Sequence, residues 1–178
     1  MKYLIILAVA IILVVIFIVV LSNCKYRFKI LNIKIDEANS NINLFLQKKK
    51  GLLDNIVKEL VEKGKDEGRF GDFIDNINSE KDLFRLHSKL SKTYSNVSKI
   101  LFDNDKLAKD ENIVKYLTEL KANDEALIGS IKFYNDTIVD FNGLIKMFPY
   151  KIIASMSHYT EKTFYNNEKE ELFEILKQ

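Results

Sequence analysis

The stretch that decides the fold is IVKYLTELKANDEALIGSIKFYNDTIVDFNGLIKMF, residues 113–148. Along it Ile113, Leu117, Leu120, Asp124, Leu127, Ile131, Tyr134, Ile138, Phe141 and Ile145 follow in steps that alternate four and three. That spacing keeps them on one face of an α-helix and predicts packing against other helices. Asp124 is the one position of the face that breaks the apolar rule. No proline interrupts the run, Gly129 and Gly143 fall on its outward side, and Pro149 cannot continue it. At about 1.5 Å per residue such a helix is roughly 50 Å long, too long to stand alone in water.

Upstream sequence supplies the partners. Leu31, Ile35, Ala38, Ile42, Phe45, Lys49, Leu52 and Ile56 keep the same rhythm, and Leu46, Leu53, Val57 and Leu60 widen the stripe. Two adjacent stripes describe a helix that touches two neighbours, as in a bundle. Lys48, Lys49 and Lys50 interrupt it; they are read as a solvated face, with the Lys49 stem lying along the core. GKDEGRFG at 64–71 reads as a glycine-rich helix connection, since it lacks the phosphate-loop pattern. A further face runs Leu83, Leu86, Leu90, Tyr94, Val97, Leu101. Ser79, three residues before Asp82, is a capping candidate for that helix, and Asp110 suits the start of the long one. After Pro149, Ile152, Ile153, Met156 and Tyr159 predict a short closing helix. Phe164, Tyr165, Leu172, Phe173 and Leu176 make the tail amphipathic.

At the N-terminus, Leu4 to Leu21 is a run of eighteen apolar residues. A spanning helix needs about 20, and the run exceeds the short apolar core of a cleaved signal. An uncleaved anchor is therefore expected, with a lipoprotein acylated at Cys24 and a cleaved signal as the alternatives. Lys25, Arg27, Lys29 and Lys34 follow the run and only Lys2 precedes it, which favours a cytoplasmic C-terminal domain. The expected organisation is a transmembrane anchor over 1–24, a helical bundle over 25–166 and an amphipathic tail over 167–178. The fold class is all-α: an N-terminal transmembrane helix followed by an antiparallel four-helix-type bundle.

Composition narrows the function. Lys and Arg number 27 against 25 Asp and Glu, a net charge of +2 that argues against nucleic acid as a partner. The single cysteine excludes an intrachain disulfide and a cysteine-based zinc site. His87 and His158 have no Cys or His at ligand spacing, and no nucleophile elbow, HExxH or dinucleotide loop occurs. No catalytic, cofactor-binding or metal residue is expected, and the protein is not read as an enzyme.

One segment carries a resemblance. Glu125, Ile128, Lys132, Tyr134, Asn135, Val139, Asn142, Phe148, Pro149, Ile153 and Ala154 follow the pattern E-x-x-I-x-x-x-R-x-x-Y-N, then V and N, then F-P and I-A, with one residue rather than two between Lys132 and Tyr134. Lys132 stands for the usual arginine and Phe141 for the usual tyrosine. Asp36-Glu37-Ala38, Ile42, Leu46, Leu52-Leu53 and Asn55 to Val57 match upstream, with Asp54 in place of a proline; Asn104-Asp105 replaces a tyrosine-proline pair. Over Ile35 to Asn166 the chain resembles the LemA family. The resemblance implies a membrane-anchored helical bundle and brings no catalytic residues. Asn135 and Asn142 are seven residues apart and share a helix face; with Asn55 they are expected to form a polar cluster that fixes helix register, a ligand site being the other reading. The expected role is a single-pass scaffold or interaction protein at the bacterial cell envelope, its partners the lipid bilayer and unidentified proteins, a second copy of itself included. An accessory subunit of an envelope enzyme is the alternative.

Overall fold

In a computed structural model, residues 1–64 and 82–165 are described. They are helical, with no strand among them. The elements are α1 (Lys2–Glu62), α2 (Leu83–Phe102), α3 (Asp105–Ala108), α4 (Glu111–Lys146) and α5 (Tyr150–Met156). The glycine-rich connection beyond Gly64, the Ser79 cap and the tail from 166 onward lie outside the described residues.

α1 runs for 61 residues because nothing in it forbids helix: it has no proline and one interior glycine, Gly51. It ends where Gly64 takes φ +75 and donates to the Val61 carbonyl at 2.9 Å. That left-handed position is open to glycine at no steric cost. At the start of α2 the cap is Asp82, whose carboxylate accepts from the Arg85 amide at 3.0 Å. Asp110 opens α4 as its sequence position indicates. Its Oδ1 accepts from the amides of Asn112 and Ile113 at 3.1 and 3.3 Å, satisfying donors that the first turn leaves orphaned. α4 stops three residues before Pro149, and the Phe148–Pro149 peptide is cis.

Contacts divide the chain into two compact units. The first comprises Met1–Glu37 and Phe133–Phe164. Its core gathers Cys24, Phe28, Leu31 and Ile35 from α1, Ile138 and Phe141 from α4, and Ile153 and Ala154 from α5. Phe28 is fully buried and meets the rings of Phe141, Tyr150 and Tyr159 at centroid distances of 5.5, 6.2 and 4.9 Å. The predicted closing helix forms, with Ile153 and Ala154 as its buried pair; Met156 faces solvent, because seven residues give only two turns and one buried flank. At its end His158 takes φ 53, and the Tyr159 amide donates to the Ala154 carbonyl at 2.9 Å. This left-handed helix stop turns Tyr159 back onto Phe28 and Phe141.

The second unit comprises the described parts of Ala38–Lys132 together with Tyr165. Here Ile42, Leu46, Leu53, Ile56 and Leu60 of α1, Leu86, Leu90 and Val97 of α2, and Ile113, Leu120 and Leu127 of α4 are buried. Phe45 is paired with Asn123, Lys49 with Asp124, Glu59 with Asn112 and Lys63 with Asp110. Partners at 123 and 124 for residues 45 and 49 give way to 112 and 110 for residues 59 and 63, so the two helices are antiparallel. Lys63 is held by both Asp110 and Glu59, which raise its pKa; the Lys63 ammonium in turn lowers that of Asp110.

The three apolar faces read from spacing, on α1, α2 and α4, are the faces that the structure buries. Tyr94 departs from its face: it is 40% exposed, with its ring 5.9 Å from the Lys49 ammonium, while Thr93 beside it is buried. Residues 4–19 of α1 are all exposed. This is the one helix among the described residues long and apolar enough to cross a membrane, and none of its apolar window is covered.

Candidate functional site

The polar groups inside the second unit converge on one place. Lys49 sits at an inward position of α1 with its side chain 5% exposed, and its Nζ lies 3.0 Å from Asp124 Oδ1 and 3.1 Å from Oδ2. One residue earlier on α4, the buried Asn123 donates to the Phe45 carbonyl at 3.0 Å. α2 contributes His87, which is 7% exposed. Tyr165 reaches it: its hydroxyl lies 3.3 Å from His87 Nδ1 and 3.3 Å from the Leu83 carbonyl oxygen. The Tyr165 ring also meets Phe84 edge-on at 6.0 Å.

Electrostatics here follow from burial. His87 is pushed down to about 4, chiefly because its surroundings desolvate the charged ring. The Lys49 ammonium pushes in the same direction and Asp124 opposes it. The imidazole is therefore neutral at physiological pH. Tyr165 is raised by burial and, second, by the Asp82 carboxylate, so its phenol stays protonated. The constellation is an ion pair flanked by a neutral imidazole and a neutral phenol. It joins α1, α2 and α4, and it can fix how those helices register; with Lys49 buried and Asp124 half-buried, the ion pair is by itself weak evidence of stability.

A second polar arrangement lies in the first unit. The Asn142 side chain donates to the Lys162 carbonyl and accepts from the Lys162 amide, both at 2.8 Å. Tyr134 donates its hydroxyl to the Thr163 carbonyl at 3.3 Å, and Lys146 pairs with Glu161 at 2.9 Å. The Lys162 ammonium lies 5.1 Å from the Phe141 ring centroid. α4 thus straps the extended segment after α5 along its side, with Asn142 reading backbone as a peptide group would.

The singled-out residues are placed as follows. Glu125, Lys132 and Ile128 are exposed on α4, while Tyr134, Asn135 and Asn142 are half-buried. Asn142 closes on the strap; Asn135 and Asn142 belong to the first unit and Asn55 to the second. Phe148 is 80% exposed beside Pro149. Cys24 is buried in the first unit's core. Among the described residues no group of three His, Cys, Asp or Glu could hold a metal ion.

A family model for LemA matches residues 38–175, most of the chain. The chain belongs to the LemA family. No curated protein matches it. The match begins at Ala38, inside α1, and so includes the whole Lys49–Asp124 constellation and the Asn142 strap; the apolar first part of α1 lies ahead of it. What spacing alone does not reveal in this LemA protein is that its two misfit core residues, Lys49 and Asp124, answer each other. The available signal was their opposite charge.

Proposed function

We propose that this LemA-family chain is a single-pass membrane protein whose helical bundle serves as a scaffold or interaction module at the bacterial cell envelope. The observation that carries the reading is the apolar start of α1: Leu4–Val19 finds no cover in the fold, yet continues without a break through the half-buried Val20 and Leu21 into the buried face that begins at Cys24. A rigid helix shared between bilayer and bundle holds the bundle at the membrane surface. The burial of Cys24 within α1 supports an uncleaved anchor over acylation, which would need chain cleavage before that residue. The Lys25–Lys34 cluster supports a cytoplasmic bundle.

The interaction role is supported by the outward side of α4. Glu125, Ile128 and Lys132 share a stripe there, and Ile128 is 65% exposed between the two charges. A photo-crosslinking amino acid at Ile128, installed in the full-length protein in cells, should give a discrete adduct on irradiation. The same group at Lys115, exposed on the first half of α4, should not. Identical weak adduct patterns at both positions would count against a defined docking face.

A further inference from the structure

The turn between α4 and α5 exposes two large apolar side chains in succession, Met147 at 57% and Phe148 at 80%. Single exposed apolar residues are ordinary on a protein surface; here the position is the informative part. Ile145 and Tyr150, on either side of the turn, pack against the first unit's core, and so do Val20 and Leu21 at the end of the apolar run. Axial arithmetic agrees. Phe28 meets Phe141. Leu21 lies seven residues back along α1 and Phe148 seven residues on along the chain through antiparallel α4, about 10 Å from that contact in each case. The turn therefore stands level with the end of the membrane run. Exposed Lys151 follows it, and exposed Lys25 and Lys29 stand on the first turns of α1 beyond the run.

We propose that Met147 and Phe148 insert into the interface of the same bilayer that α1 spans, as a second, shallow attachment, with Lys25, Lys29 and Lys151 facing anionic headgroups. The inference rests on the membrane-anchored reading above. An aromatic side chain at the boundary between headgroups and acyl chains, flanked by lysines, is the chemistry by which amphipathic segments bind lipid surfaces. The attachment fixes the first unit against the membrane, so that α1 cannot swivel freely about its own axis.

The test uses the full-length chain in vesicles of phosphatidylcholine and phosphatidylglycerol. An environment-sensitive fluorophore is attached to Phe148→Cys, and separately to Met147→Cys, in a Cys24→Ala background. Labels at Ile12→Cys and Lys115→Cys serve as references for bilayer and water. Neither turn position lies in the core, and circular dichroism checks that each labelled protein keeps its helicity. Expected are a blue-shifted emission at both turn positions and loss of most of it to a spin label placed high on the lipid acyl chain. Shielding from aqueous iodide should approach that of the Ile12 label. A turn label open to iodide and untouched by lipid quencher, with the Ile12 label quenched by lipid, would overturn the inference and leave the anchor standing. Shielding from iodide without lipid quenching would mean that protein covers the turn, and would also overturn it. An Ile12 label open to iodide would remove the anchor reading itself, and the inference with it.

Discussion

Replacing Asp124 by Ala should cost about 3 kcal/mol of folding stability, since it leaves an ammonium buried without its counter-charge. The geometry sets the expectation. Lys49 is 5% exposed at its side chain and both carboxylate oxygens of Asp124 lie within 3.1 Å of its Nζ. The Tyr94 ring, 5.9 Å away, is a weak substitute for a carboxylate. The pair itself is worth far less than its breakage, because both charges gave up water to form it. Asp124→Leu combined with Lys49→Met should therefore recover most of the loss, and urea unfolding of the full-length protein in detergent measures both. If the single variant matches wild type, the Lys49 ammonium finds water in solution and does not depend on Asp124 for its counter-charge. If the double variant is as unstable as the single, the ion pair contributes favourably to the fold beyond its role in register.

The second large effect is a pH dependence centred on His87. Its folded pKa is about 4 against an ordinary value of 6.5. Between those values the unfolded chain binds a proton that the folded chain refuses, so stability falls as pH drops from 6.5 towards 4 and is flat with respect to this group above 6.5. A depression of that size corresponds to a loss of about 3 kcal/mol on going from pH 7 to pH 4. The groups responsible sit on different elements: Lys49 on α1 disfavours the imidazolium, Asp124 on α4 favours it, and Tyr165 places a hydroxyl on Nδ1. His87→Gln keeps a polar partner for Tyr165 and removes the titration. Other carboxylates will also bind protons at pH 4, so the informative quantity is the difference between wild type and variant. Thermal melts at pH 7 and pH 4 should show the variant losing less stability than wild type; equal losses would place His87 in water.

Helix faces were legible because each is a local property. The four-three spacing from Leu31 to Ile56 and from Ile113 to Ile145 needs only neighbouring residues to be read, and burial follows it closely. Pairing across helices is not local. Lys49 and Asp124 each stand out as a charge on an apolar face, but 75 residues separate them, and periodicity on each helix says nothing about the level at which the two meet. For the same reason the shared helix face of Asn135 and Asn142 does not name their partners: Asn142 satisfies its amide on the backbone of Lys162. The strap from Tyr159 to Tyr165 has no periodicity to announce it. Side chains of α4 reach the backbone of Lys162 and Thr163, and the Tyr165 hydroxyl donates to the Leu83 carbonyl of α2; no window of the strap's own sequence contains these partners. Asp82 as the cap of α2 was not read from the sequence: spacing offers Ser79 as a cap with Asp82 as its partner three residues on, whereas the Asp82 carboxylate itself accepts from the Arg85 amide.

The central claim, that α1 anchors the bundle in a membrane with its C-terminal part in the cytoplasm, is tested most directly by protease treatment of protoplasts expressing the chain with an epitope after Gln178. The epitope should fractionate with membranes, survive protease outside intact protoplasts, and be lost once they are lysed. An epitope digested while the protoplasts are intact would contradict the orientation, and one recovered in the soluble fraction would contradict the anchor.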